Sequence, residues 1–262
     1  MISKENRLAL INYILCKTAL SRSKLPGLNY TFNPYFGCQH GCLYCYVPDV
    51  LKINNMEWGK FIFVKKNILD ILKREVTRKK IGTVGISTST DPYQPIEKDL
   101  EITRKALVIL INAGFPISIQ TKSSLVLRDI DILINKNIDV GLTITSTDSY
   151  FQKIFEPNAP PPDERIATLE ELSDKGIKTW IFYGPIIPNY NDSEEEIEKI
   201  VKIALKTKSK IIYDKLNLKP NVIKRLNSNN INYNGDYNKI FSKIEFICKK
   251  YDVKYEYAFQ YA

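Results

Sequence analysis

From about residue 60 onward the chain alternates between two hydrophobic rhythms. Short runs rich in β-branched residues read as buried strands at Thr83–Thr88, Pro116–Thr121, Ile138–Thr145, Lys178–Tyr183 and Lys210–Tyr213, with an earlier one at Tyr30–Tyr35. Between them, apolar positions recur at helical spacing. In Ser193–Leu205, the residues Ile197, Ile200, Val201, Ala204 and Leu205 form one stripe, with Ser193 as N-cap and Glu196 completing a capping box. A helix predicted over Asp163–Lys175 starts after three prolines and stops at Gly176. Others are predicted over Leu100–Ala113, ending at Gly114, and over Ile68–Lys79, ending near Gly82. A last helix is predicted over Tyr237–Tyr251. The apolar run Leu8–Cys16 is followed at once by Lys17, with no small-residue cleavage site, so it reads as a packed amphipathic helix and not a signal peptide.

Strand then helix, repeated six times, specifies parallel strands joined by right-handed crossovers. An open doubly wound sheet and a barrel both satisfy this, and a full eightfold barrel needs about 250 residues. The segment after residue 216 differs in kind, being rich in Asn, Lys and Tyr. The expected fold is therefore α/β: a partial (β/α)6 TIM-like barrel with an N-terminal extension and a C-terminal helical appendage. No linker composition divides it, so one domain is expected over 1–262, with its core at about 27–215 and the appendage at about 216–262. Parallel folds bind ligands at the C-terminal ends of their strands. Here those ends are Asn33–Pro48, Ser87–Pro95, Thr121–Ser124, Thr143–Asp148, Tyr183–Asn191 and Asp214–Asn217, segments rich in Ser, Thr, Asp, Lys and Tyr.

Composition narrows the class. Apolar residues make up 44% and charged residues 26%, as in soluble globular proteins. No run approaches the roughly 20 apolar residues of a membrane span, and no membrane partner is expected. Net charge is +9, from 38 Lys+Arg against 29 Asp+Glu, spread along the chain. That balance fits a polyanionic partner, and equally lysines on solvated helix faces. The five cysteines lie at 16, 38, 42, 45 and 248. An odd count with one tight cluster argues against a disulfide framework and for metal-binding thiolates in the reducing cytoplasm.

The cluster reads Asn33-Pro-Tyr-Phe-Gly-Cys38-Gln-His-Gly-Cys42-Leu-Tyr-Cys45-Tyr46. Three thiolates can hold three corners of a cubane iron–sulfur cluster, leaving one iron open to a small-molecule chelate. Gly37 and Gly41 let the loop turn tightly. The competing reading is zinc in a Cys3His set with His40, although a ligand placed two residues after Cys38 strains a closed tetrahedral site. His40 also reads as a supporting residue.

Cys-x3-Cys-x2-Cys with an aromatic before the last cysteine resembles the radical S-adenosylmethionine (SAM) superfamily. The match extends through CKTALSRSKLPGLNYTFNPYFGCQHGCLYCY, TSTDPYQPIE, ITRKAL, TKSSLVLRDIDIL, FEPNAPPPDERI and GPIIPNYND, which resemble the spore-photoproduct-lyase-like branch, whose members are often described as DNA repair photolyase-related. It runs from about Cys16 to Lys206, roughly three quarters of the chain. The resemblance implies a partial (β/α)6 barrel and a [4Fe–4S] cluster on Cys38, Cys42 and Cys45. It also implies reductive cleavage of S-adenosylmethionine to a 5′-deoxyadenosyl radical, and a reductant such as ferredoxin or flavodoxin. Tyr44 resembles the position packed against adenine, or is a core aromatic. Tyr46 matches a tyrosine near the reaction centre. Ser89, Thr90 and Asp91 lie where the superfamily binds the methionine amino group, Asp91 equally suiting a turn role. Lys122, costly at a strand end unless paired, matches a lysine facing the cofactor carboxylate. Thr143 matches a Ser or Thr that reaches the cofactor. The backbone near Ile186, in Gly184-Pro-Ile186-Ile-Pro188, resembles an adenine motif. Glu156 and Arg165 read as a structural ion pair around the proline loop.

One departure bears on the reaction. Where spore photoproduct lyases place a hydrogen-donating cysteine, this chain has Thr88, whose O–H bond is too strong to give a hydrogen atom to a carbon radical. Cys16 and Cys248 read as apolar-like buried residues. Three functions stay open: a radical enzyme on a nucleic acid or nucleotide-like substrate, one on a small molecule, peptide or lipid precursor, and a non-enzymatic cluster- or zinc-bearing module. The first is favoured by the charge and by tyrosines of the tail (Tyr233, Tyr237, Tyr251, Tyr255, Tyr257, Tyr261) that could stack bases.

Overall fold

The computed structural model describes residues 9–53 and 57–258. Its strands are β1 (Leu10–Ile14), β2 (Leu20–Arg22), β3 (Tyr30–Phe32), β4 (Tyr35–Phe36), β5 (Phe61–Lys65), β6 (Val84–Ile86), β7 (Ile117–Thr121), β8 (Ile138–Thr143), β9 (Lys178–Ile186), β10 (Lys210–Lys215) and β11 (Tyr255–Tyr257). The main sheet has the order β11-β10-β9-β8-β7-β6-β3-β2, and every pairing in it is parallel except β2 with β3. Six of these strands, β3 and β6 to β10, are those expected from the apolar runs. The order is linear and ends in two edges, so the barrel is partial.

Register follows burial. Val84 pairs with Ile117, Ile119 with Val140 and Leu142 with Ile181. Each is buried, as strands covered on both faces require. Helices Ile68–Glu75, Ile102–Asn112, Pro162–Asp174, Glu194–Lys206 and Tyr237–Lys250 contribute Leu72, Leu107, Leu169, Ile200 and Ile244 to the same core. Glu101, in a left-handed conformation (φ 52°), breaks the predicted Leu100–Ala113 helix at its start.

Three details differ from expectation. The run read as an N-terminal helix contains a strand: β1 pairs parallel with β5, from Leu10 opposite Phe61 to Ile14 opposite Lys65. Its apolar residues fall on both faces, with Leu10, Ile11 and Tyr13 all exposed. That distribution suits an edge strand and not a one-sided helix; Leu8, in the same run, lies outside the described residues. Second, Ser193 Oγ accepts from the Glu196 N–H at 3.1 Å, but the Glu196 carboxylate accepts from Ser146 Oγ and Thr147 Oγ1, each at 2.8 Å, and from the Thr147 N–H. The half-made capping box anchors the loop after β8. Third, the appendage is not helical alone: β11 extends the main sheet beyond β10.

Candidate active site

The cysteine loop leaves the short antiparallel pair of β4 with β5 and crosses the C-terminal ends of β3 and β6. Its entry depends on Gly37, at φ 102°, where a Cβ would lie 2.5 Å from the Phe61 carbonyl oxygen. Gly41, at φ 61°, passes Gly59 so closely that a Cβ on Gly59 would come within 2.8 Å of the Gly41 Cα. Cys38 and Cys42 are buried, Cys45 is half-buried, and all three are unpaired thiols. Burial pushes the Cys42 thiol up to about 12 against the pull of Lys122. Burial also raises Cys38, and the Asp91 carboxylate adds to it. Cys45 is raised by burial, with the Val47 N–H, Lys122, Arg225 and the Trp58 indole opposing.

The loop is braced through its backbone. Thr90 Oγ1 donates to the Gly37 carbonyl at 2.5 Å, and Gln94 Nε2 donates to Thr90 Oγ1 at 3.0 Å. Gln94 Oε1 accepts from the Gln39 N–H at 2.9 Å, Gln39 Oε1 from the Ile96 N–H at 2.8 Å, and Asn158 Nδ2 donates to the Gln39 carbonyl at 3.1 Å. Ser89 gives both its N–H and its hydroxyl to Asn33 Oδ1, each at 2.9 Å. The Ser89 and Thr90 hydroxyls, expected at the cofactor, are thus committed to the loop and its approach. Asp91 is buried: Oδ1 accepts from Thr121 Oγ1 at 2.7 Å and from the Tyr93 N–H at 2.9 Å, and Oδ2 from the Lys122 N–H at 2.9 Å. His40 Nδ1 lies 3.5 Å from that oxygen; burial lowers His40, so the contact is polar and not ionic.

Glu156 is the second centre. Its buried carboxylate pairs with Arg165, accepts from the Tyr44 hydroxyl and from Thr145 Oγ1 at 2.9 Å, and lies 3.9 Å from Lys122 Nζ. Burial alone would push this carboxyl up; Arg165 and Lys122, with hydrogen bonds from Arg165 and Tyr44, hold it down at about 2. The ion pair with Arg165 matches the sequence reading. Its convergence on Tyr44 and Lys122 was not foreseen: the FEPNAPPPDER segment marks the pair, but nothing in it reports that the chain folds back onto residue 44. Tyr44 is buried among Phe151, Phe155 and Ile187, and Lys122 Nζ sits 5.7 Å from its ring centre. Thr143 Oγ1 accepts from Gln120 Nε2 at 3.2 Å, while its carbonyl receives Arg165 Nη1 at 3.1 Å. Ile186 is buried, and its carbonyl accepts from the Tyr237 hydroxyl at 3.1 Å. Tyr46 is half-buried beside Cys45 and Asp214. Burial raises Asp214 to about 6.

One observation fits this loop to a cluster that carries a polar ligand. Ser87 Oγ, at the C-terminal end of β6, is buried with no hydrogen-bond partner, on a residue held at φ 60°. An orphaned hydroxyl on a strained backbone marks a place where a ligand group completes the site.

A partial parallel barrel carrying a Cys-x3-Cys-x2-Cys loop across its strand ends defines a class of cluster-dependent enzyme. The Radical SAM superfamily profile matches residues 32–204, and the chain belongs to that superfamily. Its members use a [4Fe–4S] cluster and S-adenosylmethionine. An uncharacterized protein of Methanocaldococcus jannaschii is 39% identical over 183 residues, 69% of each chain. A radical SAM Nα-GlyT isomerase of Pseudomonas phage M6 is 25% identical over 177 residues, 65% of this chain and 36% of that one. Spore photoproduct lyase, solved with bound S-adenosylmethionine and a dinucleoside spore photoproduct, superposes with a TM-score of 0.70 at 15% identity, over 95% of this chain and 81% of that one. No helix of the described residues is long and apolar enough to cross a membrane.

Proposed function

We propose that this radical SAM enzyme holds its cluster on Cys38, Cys42 and Cys45 and acts on a nucleic acid or nucleotide-like substrate. The observation that carries the site is the braced cysteine loop, set beside an orphaned hydroxyl and a shared lysine at the strand ends. When bound, the cluster and S-adenosylmethionine supply a 5′-deoxyadenosyl radical that abstracts a hydrogen atom from substrate.

The chain's own residues divide the remaining work. Ser89, Thr90 and Asp91 act on the cofactor through the loop they brace. Glu156 is already held by Arg165 and Tyr44, so Lys122 is only loosely paired and has charge to offer a carboxylate. Ser87 supplies a hydroxyl, and Thr143 and the Ile186 backbone line the neighbouring strand ends. Tyr44, fixed by Glu156, presents a rigid wall, and Tyr46 stands beside the last cysteine at the reaction centre. Burial of the site excludes water from a reactive intermediate. Thr88 offers no weak X–H bond, which separates this reaction from repair that returns a hydrogen atom from that position. The electron comes from a donor such as ferredoxin or flavodoxin, in the cytoplasm, where the five free thiols stay reduced.

The substrate class is supported by the net charge of +9 and by the fold shared with an enzyme solved on a dinucleoside lesion. A duplex substrate must be flipped into the barrel mouth. Anisotropy titrations with labelled single- and double-stranded DNA and RNA test this. Binding that weakens steeply with salt is expected; absent or salt-independent binding points instead to a small-molecule or peptide substrate.

A further inference from the structure

The C-terminal segment reaches back under the cysteine loop. Helix Pro220–Ser228 places Arg225 so that Nε donates to the Leu43 carbonyl at 2.8 Å and Nη2 donates to the Cys45 carbonyl. Its neighbour Asn221 fixes that helix: the Asn221 N–H and Nδ2 both donate to Asp49 Oδ1 at 3.1 Å, just beyond the last cysteine. Val222 and Leu226, on the same helix, pack in one apolar cluster with Cys42 and Tyr44.

Arg225 differs from the other cations of the site. Arg165 is paired with Glu156, and Lys122 lies within 4 Å of the same carboxylate. Arg225 is half-buried and takes part in no ion pair among the described residues. Its guanidinium stays charged at any physiological pH, and its hydrogen bonds go to the carbonyls of Leu43 and Cys45, in the stretch that carries the last two cysteines. A cluster on three thiolates becomes more negative by one unit when it accepts an electron. A fixed positive charge beside it favours that reduced state, the more so in a low-dielectric setting.

We propose that Arg225 is a redox-tuning and positioning residue, which clamps the carbonyls of the loop between Cys42 and Cys45 and raises the tendency of the bound cluster to accept its electron. The step is a one-electron transfer from an external low-potential donor to the cluster, with no bond made and no proton moved. The inference rests on the assignment of Cys38, Cys42 and Cys45 as ligands.

The test uses the full chain, reconstituted anaerobically with iron and sulfide. Iron content is measured first, and then the reduction equilibrium by a dithionite titration followed by electron paramagnetic resonance. Arg225→Gln removes the charge and is expected to keep its iron while lowering the equilibrium constant for reduction about threefold to tenfold, tenfold being about 59 mV for one electron. Arg225→Lys keeps the charge and is expected to stay within about twofold of wild type. Asn221→Ala loosens the same helix without touching the charge and is likewise expected to leave the equilibrium within about twofold. An Arg225→Gln cluster with an unchanged equilibrium overturns the proposal. So does an Arg225→Lys shift as large as tenfold, or an Asn221→Ala shift that equals the Arg225→Gln shift. Absence of iron from the wild-type chain fails the cysteine assignment itself, and this inference with it.

Discussion

At Glu156 one buried carboxylate meets Arg165, Lys122, Tyr44 and Thr145. Removing one partner of a buried pair leaves the other charge uncompensated. Glu156→Gln is therefore expected to cost about 3–5 kcal/mol at pH 7, read by guanidinium denaturation. The pH dependence has a fixed sign. The folded carboxyl is depressed from 4.5 to about 2, so its contribution is fully present above pH 4.5 and is lost as pH falls through about 2. The gap between wild type and Glu156→Gln should narrow between pH 5 and pH 2; a constant gap would show that the ion pair is not its source. Residues were unequally legible in the sequence. The cysteines announce themselves by spacing, because metal ligation fixes residue type and separation together. Arg225 lies 180 residues from Cys45, the residue it clamps, and no local pattern reports such a contact. The Ser89 hydroxyl donates to the Asn33 side chain and the Thr90 hydroxyl to the Gly37 carbonyl, contacts that only the packed structure reveals.

Among elements, the long periodic ones were readable, and their centres hold to within a few residues. Among the short ones, β3 and β6 lie within longer apolar runs and were expected, whereas β2 and β11, of three residues each, were not, and β1 takes its identity from pairing with β5. Packing also imposes choices that propensity does not show. Gly141 in the middle of β8 is required because Trp180 of β9 crosses it: a Cβ there would lie 2.3 Å from the indole, and the indole is held by its N–H donating to Asp139 Oδ1 at 2.8 Å. Gly141→Ala should cost about 1–3 kcal/mol by overpacking, measured by urea denaturation. A loss below about 0.5 kcal/mol would mean that the indole moves aside freely.

For the whole molecule, the C-terminal segment matters more than its composition suggested. It adds β11 to the sheet, seals one side of the cysteine loop through helix Pro220–Ser228, and packs Tyr237, Tyr251, Tyr255 and Tyr257 against the main core. Tyr233 joins the cluster around Tyr44. These tyrosines, expected as a base-stacking platform, are spent on packing, and Tyr261 lies outside the described residues. A nucleic-acid substrate would then depend on the net charge of +9 and not on a tyrosine platform, with salt dependence as the signature of its binding. The barrel itself was legible because six apolar runs with interleaved helices admit few topologies; the closure of the site by the chain's end was not, because it rests on contacts distant in sequence.

The measurement that bears most directly on this account is 5′-deoxyadenosine formation by the anaerobically reconstituted protein, with dithionite and S-adenosylmethionine, beside a Cys42→Ala variant. The wild type is expected to bind iron and sulfide and to produce 5′-deoxyadenosine, with both lost in the variant. A wild type that holds its cluster and yields no 5′-deoxyadenosine, or a Cys42→Ala protein that yields as much, would contradict it.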